Sequence, residues 1–214
     1  MPEGNEYYNV TTRNPHLTVA ENNALSDEEL MGRIAGSDAQ AFEILVRRHQ
    51  RRILNLIYRS IGDRIQAEDV AQEVFLRVWR AAEDYEPKAK FTTWIYRIAV
   101  NLCLDTLKST HRKQSFVHLY AGAENPSEND GVLDGCDGAP SPEELLIDAE
   151  ESGRIFAALG SLPANQRLAV VLKKFDGLSY DEISRILGCS VSAVESLLVR
   201  AKKTLREKLL SPRS

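Results

Sequence analysis

Apolar residues recur at three- and four-residue intervals along most of the chain and almost nowhere at every second position, a pattern that predicts helices and no sheet. The first signal is Ser26-Asp27-Glu28-Glu29, in which a hydroxyl is followed three residues later by Glu, as in a capping box. It opens a short helix through Leu30 and Ile34, which Gly36-Ser37-Asp38 breaks. A long helix follows, with Phe42, Leu45, Val46, Ile53, Leu56 and Ile57 on one side and Arg47, Arg48, Arg51 and Arg52 on the other. Gly62-Asp63 ends it. The next helix is expected over about 66–82, with Val70, Val74, Phe75, Val78 and Trp79 at helical spacing and Trp79 in the core. Residues 84–90 include Pro87 and read as a loop, after which 92–108 form another amphipathic helix.

Residues 1–24 are polar and aperiodic and read as a disordered tail, while 121–142 are rich in Gly, Pro, Asn, Asp and Ser and read as a flexible linker. Ser141-Pro142-Glu143-Glu144 restarts order with Pro at a first helical position; Leu145, Leu146, Ile155, Phe156 and Leu159 carry that helix. Leu162-Pro163 marks a boundary before a helix over 165–175, and Asp176-Gly177 turns the chain. Ser179-Tyr180-Asp181-Glu182 is a second capping box, opening a short helix over 181–187. Gly188 supplies a left-handed stop, Cys189-Ser190 make the turn, and a longer helix spans about 191–206. Two helices joined by a glycine-containing turn, the second long and basic, form a helix-turn-helix pattern. The expectation is an all-α chain of two small helical domains joined by a flexible acidic linker, the C-terminal domain a helix-turn-helix. The divisions fall at 1–24 (tail), 25–113, 114–140 (linker) and 141–210.

Charge sharpens this picture. The 214 residues carry a net charge of only −4, but the charges are sorted. Lys88, Lys90, Arg97, Lys108, Arg112 and Lys113 face Asp105 alone in the stretch 88–113, and Arg185, Arg200, Lys202, Lys203, Arg206, Lys208 and Arg213 face only Glu195 and Glu207 in 185–213. Between them, 114–153 holds no Lys or Arg and ten acids. A polyanion such as DNA attracts both ends of this arrangement and repels the middle. No apolar run approaches the roughly 20 residues that span a bilayer, and no basic-then-apolar export signal opens the chain. Cys103, Cys136 and Cys189 are odd in number and share no CxxC spacing, which excludes a disulfide framework and argues against structural zinc; a cytoplasmic protein with free thiols is expected.

Three surfaces carry candidate chemistry. On the last helix, Val194, Leu197, Leu198, Ala201 and Leu205 should pack inward, leaving Ser192, Glu195, Ser196, Val199, Arg200 and Lys203 to meet a major groove. Arg200, Lys202, Lys203 and Arg206 suit phosphates or guanine edges, and a carboxylate such as Glu195 costs affinity near DNA unless it accepts from a cytosine amino group. In the first domain, Arg97, Asn101 and Lys108 share one side of a helix with Trp94 beside them, opposite Ile95, Ile98, Ala99, Leu102 and Thr106. With Tyr85, Lys88, Lys90 and Phe91 just upstream, rings, cations and an amide suit unpaired DNA: rings stack on bases, cations follow phosphates, and the amide reads a base edge. The third surface, Glu68, Asp69, Gln72 and Glu73, repels DNA and suits a basic partner protein. His16, His49, His111 and His118 have no ligand spacing and read as surface residues. There is no P-loop, metal cluster or nucleophile–base pair, so no metal, cofactor or catalysis is expected.

These residues strongly resemble the extracytoplasmic-function (group IV) sigma factors of bacterial RNA polymerase, nearest the envelope-stress type. The resemblance covers about 26–210. It is carried by Ala41-Phe42-Glu43, by Ala67-Glu68-Asp69-Val70-Ala71-Gln72-Glu73-Val74-Phe75, and by Phe91-Thr92-Thr93-Trp94-Ile95-Tyr96-Arg97-Ile98-Ala99-Val100-Asn101. Leu162-Pro163 and Asp176-Gly177-Leu178-Ser179-Tyr180-Asp181-Glu182-Ile183 carry it in the second half. It implies that Asp69, Gln72 and Glu73 grip the clamp coiled coil of the polymerase largest subunit. It implies that the loop from Tyr85 to Lys90, with Asn101, captures a flipped base of the −10 element, and that Trp94, Arg97 and their neighbours recognise and help melt that element. Ser196 and Arg200 would contact the −35 element as duplex, and the acidic linker would thread toward the RNA exit path. The partners implied are core polymerase, duplex and single-stranded promoter DNA and an anti-sigma factor, with no membrane insertion. Glu195 and Leu197 depart from the family, standing where many members carry basic residues. Two other readings of the same residues are a stand-alone helix-turn-helix regulator, which would bind duplex without polymerase, and a DNA-processing enzyme, which would need a third carboxylate beside Asp69 and Glu73.

Overall fold

The computed structural model describes residues 25–120 and 153–210, with side chains for 25–109 and 153–209. All regular structure among these residues is helical. The N-terminal tail, the acidic stretch 121–152 with its Ser141-Pro142 start, His16 and Cys136 lie outside the described residues, as do the side chains of His111 and His118.

Helix α1 (Asp27–Ile34) begins at Ser26, whose hydroxyl accepts the Glu29 amide at 3.2 Å while the Glu29 carboxylate accepts the Ser26 amide at 2.7 Å. Ser37, at φ 62°, takes the left-handed turn, and Asp38 caps α2 (Ala39–Ile61). Gly62, at φ 85°, closes α2 where a side chain would be strained, and Asp63 at once caps α3 (Arg64–Arg80). Helix α4 (Phe91–Tyr120) begins one residue earlier than expected and continues twelve residues past position 108. The stretch 114–120, assigned to the acidic linker on its lack of cations, is therefore helical. Gln114-Ser115-Phe116-Val117-His118-Leu119-Tyr120 contains no Gly or Pro, and loss of basic charge does not end a helix.

In the second half, α5 (153–160) leads through Pro163 into α6 (Ala164–Lys174), then α7 (Tyr180–Leu187) and α8 (Val191–Leu210). The second capping box forms as expected, and Gly188 closes α7 at φ 65°. The apolar stripes pack as their spacing dictates: Leu45, Ile53, Leu56 and Ile57 of α2, Val74 and Val78 of α3 and Ile95 and Ala99 of α4 are buried. Several side chains depart from expectation. Trp79 is half-buried at the edge of the core, its ring 5.0 Å from Phe42. Ile155 is exposed, whereas Phe156 turns in against Tyr58 of α2 at 4.8 Å. His49, read as a surface residue, is 6% exposed. It stands one turn from both Leu45 and Ile53, on the apolar stripe itself.

The two halves are in contact. Helix α7 lies along α4 and α6 against α2. The main core is continuous from Leu30, Leu56 and Ile95 of the first domain to Leu168, Leu172 and Ile183 of the second. A small second cluster of Leu159, Leu162, Val170 and Ala201, with Leu198 and Leu205 against it, holds the C-terminal unit together.

Candidate nucleic-acid and polymerase interfaces

Helix α1 fixes the start of α4. Glu28 Oε1 accepts the Phe91 amide at 3.0 Å, satisfying one of the donors that a helix N-terminus leaves open, where a negative charge is also favourable. Beside it, Asp27 accepts from Arg48 at 2.9 Å and pairs with His49 Nε2 at 2.8 Å, and the His49 ring lies 5.2 Å from that of Phe91. Arg48, placed by its spacing on the basic outer side, is thus drawn inward to a carboxylate. Burial acts to raise the Asp27 carboxyl, but hydrogen bonds from His49 and Arg48 prevail and hold it below its ordinary range. A carboxyl depressed in the folded state stabilises the fold above its unfolded value, and that contribution is lost as the pH falls through the folded value. Asp27→Asn should therefore flatten the acid limb of stability measured by circular dichroism; an unchanged acid slope would contradict the assignment. Glu28→Ala should cost about 1 kcal/mol in urea unfolding, as loss of a helix cap does, and Glu28→Gln, which keeps an acceptor, should restore most of it. Equal loss in both variants would count against the amide contact.

Phe91, one of the candidate stacking rings, is 1% exposed and belongs to the core. It anchors a cluster: Tyr85 lies edge-on to Trp94 at 4.9 Å and to Phe91 at 6.2 Å, and Phe91 is 5.7 Å from Trp94. Tyr85 and Trp94 are half-buried. They line a cavity of about 640 Å³ together with Lys88 and Arg97 of the expected set and with Asp84, Glu86 and Thr93. The Tyr85 hydroxyl is buried without a partner among the described residues, and burial, with the charges of Glu28 and Asp27, raises its pKa. Lys90 and Asn101 do not line this cavity. Asn101 is exposed one turn beyond Arg97, also exposed, so a strand leaving the cavity along α4 meets both in succession. Lys88 pairs with Glu86 at the exposed rim. The far wall comes from the second domain, where Arg185 and Gly188 of the helix-turn-helix close the cavity. Arg185 is expected only as one of the basic residues of 185–213 and Gly188 only as a helix stop; neither is expected at this cavity, because nothing local signals a contact across so many residues.

On α8, Val194 and Ala201 are buried and Leu197, Leu198 and Leu205 half-buried. Ser192, Glu195, Ser196, Val199, Arg200 and Lys203 are all exposed, as the spacing requires. Val199 is the bare apolar member at 69% exposure, suited to a thymine methyl. Ser196 donates to the Ser192 carbonyl at 2.9 Å and Arg200 Nε to the Ser196 carbonyl at 3.2 Å, so both side chains lie against their own helix.

On α3, Asp69 and Gln72 are exposed and Glu73 half-buried. Arg77 Nε donates to Glu73 at 2.8 Å and holds its carboxyl below the ordinary range, with Arg80 assisting. Two apolar residues share this face: Ile65, 71% exposed, and Leu76, 47% exposed. They stand seven residues before and four after Gln72, a signal the charge pattern concealed. Leu76 and Gln72 border a groove of about 720 Å³ with Phe42, Val46, Leu54 and Phe75. The face is apolar as well as acidic, which fits a protein partner. Among the described residues no cluster of three potential metal ligands exists, so Asp69 and Glu73 gain no third carboxylate. Burial pushes the Cys103 thiol up to about 12 and leaves it unreactive. No described helix is long and apolar enough to cross a membrane.

A helical body bearing an aromatic cavity lined by Lys88, Arg97, Asp84 and Glu86, joined to a helix-turn-helix, suits a DNA-reading protein, and comparison with known proteins gives the family. The Sigma-70 region 2 family matches residues 45–113 and the Sigma-70, region 4 family matches 152–205. The RNA polymerase sigma-H factor of Pseudomonas aeruginosa is 33% identical over 87% of this chain and 94% of its own length. The ECF RNA polymerase sigma-E factor of Escherichia coli K12 is 34% identical over 86% and 95%. Among solved structures, CnrH in complex with the cytosolic domain of CnrY is similar with a TM-score of 0.59 and 27% identity, over 86% of this chain and 96% of that one. The chain belongs to the extracytoplasmic-function branch of the sigma-70 family. It is an RNA polymerase sigma factor for promoter recognition, a non-enzymatic regulator.

Proposed function

We propose that the chain works as a dissociable specificity subunit divided near the expected boundaries: 25–113 binds core polymerase and the −10 element, and 141–210 binds the −35 element. The observation that carries this reading is the cavity at the start of α4, where Tyr85, Lys88, Trp94 and Arg97 meet with Asn101 exposed beyond them. A half-buried aromatic wall with a cationic rim suits a base out of its stack, with Lys90 extending the charge along the strand. Opening a duplex costs about 1.4 kcal/mol per stacked step, and stacking returns about 1–3 kcal/mol per captured base, so binding alone can drive melting.

Ser192, Glu195, Ser196, Val199, Arg200 and Lys203 then read the −35 element in a major groove. Asp69, Gln72 and Glu73, joined by Ile65 and Leu76, dock on the clamp of the polymerase largest subunit. The protein acts in the cytoplasm, and an anti-sigma factor restrains it. The test is a promoter-binding assay with and without core polymerase. Sequence-selective binding that requires the core enzyme is the expected result; equally tight, equally selective binding by the chain alone would overturn the assignment of the α3 face.

A further inference from the structure

Helix α4 starts without a cap of its own. The Trp94 amide donates to the Lys90 carbonyl at 3.3 Å, which makes Lys90 the capping position, and an ammonium side chain has only donors to offer. The missing acceptor comes from 63 residues away, where Glu28 accepts the Phe91 amide. Glu28 is aimed there because the first turn of α1 is fixed on two sides. Ser26 and Glu29 close their reciprocal cap, and Asp27 holds Arg48 and His49 of α2. Three consecutive acids thus have three separate tasks: Glu29 closes α1, Asp27 ties it to α2, and Glu28 ties it to the start of α4.

The chain of contacts continues into the cavity. Phe91 is held at its amide by Glu28 and at its ring by the buried imidazole of His49, and the same ring packs on Trp94 and Tyr85, which line the cavity. Burial, followed by the charges of Glu28 and Asp27, raises the pKa of the Tyr85 hydroxyl, so the field of α1 reaches the wall as well. Attachment of α1 does not depend on these polar contacts, because Leu30, Met31 and Ile34 are already buried in the main core. What Asp27, Glu28 and His49 add is placement.

We propose that Asp27, Glu28 and His49 are positioning residues for base capture: they touch no DNA and set where Phe91, and through it Trp94 and Tyr85, stands in the cavity wall. The inference rests on the promoter reading above and deepens it, since the ligand is the unpaired base assigned to that cavity. With the tie to Phe91 cut, the wall takes other positions and only a fraction of molecules presents the stacking geometry. Apparent affinity for the unpaired base falls by that fraction. The helices and their buried apolar faces remain.

The test uses the full chain in a Trp79→Phe background, which leaves Trp94 as the sole tryptophan. In Glu28→Ala, Trp94 emission should shift to longer wavelength. Opening of a promoter selected with core polymerase, read by permanganate footprinting, should slow about fivefold, the factor that loss of one helix cap supports, with core affinity unchanged. Glu28→Gln, which keeps an acceptor, should restore both readouts. Asp38→Ala removes the cap of α2, where the carboxylate accepts the Gln40 and Ala41 amides at 3.0 and 3.1 Å, and should change neither. If Glu28→Ala fails to fold, His49→Gln takes its place: it keeps a donor for Asp27, removes the ring from Phe91 and should move both readouts the same way. Unchanged emission in the folded variants, or equal slowing by Asp38→Ala, would overturn the positioning role. Shifted emission with unchanged opening would overturn its use in base capture. If wild type with polymerase opens no promoter, the promoter reading fails, while Trp94 emission still decides whether α1 sets the wall.

Discussion

Asn101→Ala is expected to slow promoter opening about ten- to a hundredfold while leaving affinity for core polymerase within about twofold of wild type. Asn101 is exposed on α4, off the buried side formed by Ile95, Ala99, Leu102 and Cys103, so its removal leaves no cavity and the fold should survive. What is lost is a base-edge contact to an unstacked nucleotide. Capture of one base is worth about 1–3 kcal/mol, and each 1.4 kcal/mol is a factor of ten. The residues proposed to dock on polymerase lie on another helix, α3, which is why the two activities should separate. Permanganate footprinting of the melted strand, beside a core-binding titration, reads both. Parallel loss of the two would refute the role given to Asn101.

Arg200→Ala should weaken binding to the upstream element by about 1–3 kcal/mol, the range for a bidentate contact to guanine, and relax selectivity at one base position. The present hydrogen bond from Arg200 Nε to the Ser196 carbonyl lies along the exposed helix surface and leaves the rest of the guanidinium to solvent, so reaching a base edge requires only a rotamer change. Lys203, one turn on, should act differently. A phosphate contact weakens binding uniformly across sequences and lowers the salt dependence, and selection from a randomised upstream element distinguishes the two effects. An unchanged base preference in Arg200→Ala would contradict direct reading by that side chain.

Much of this molecule was legible in the order of its residues because the relevant physics is local. Both capping boxes and the exposed face of α8 follow from spacings of three, four and seven residues, and the helix ends at Gly62 and Gly188 follow from glycine itself; the structure shows each of them. Contacts between distant residues were not legible. His49 looked solvent-facing because its partner Asp27 lies 22 residues earlier, although its place on the apolar stripe of α2 was already a signal. Phe91 could equally have been a stacking ring or core; its amide bond to Glu28 and its burial decide for core. The length of α4 was obscured by reading charge as a boundary, when only Gly, Pro or a capping residue ends a helix. The cavity proposed for the −10 element was half visible. Tyr85, Lys88, Trp94 and Arg97 converge as their neighbourhood suggested, but the wall made by Arg185 and Gly188 comes from contacts between the domains, which no periodicity encodes.

Two cationic modules on one chain, each suited to a different state of DNA, have a use only if a polymerase holds them on the same promoter. The direct test is run-off transcription from a library of random upstream sequences, using core RNA polymerase with and without the purified chain. RNA should appear only when the chain is added, and only from templates sharing two short motifs about 25 base pairs apart. Absence of RNA from every template, or the same set of transcripts without the chain, would contradict it.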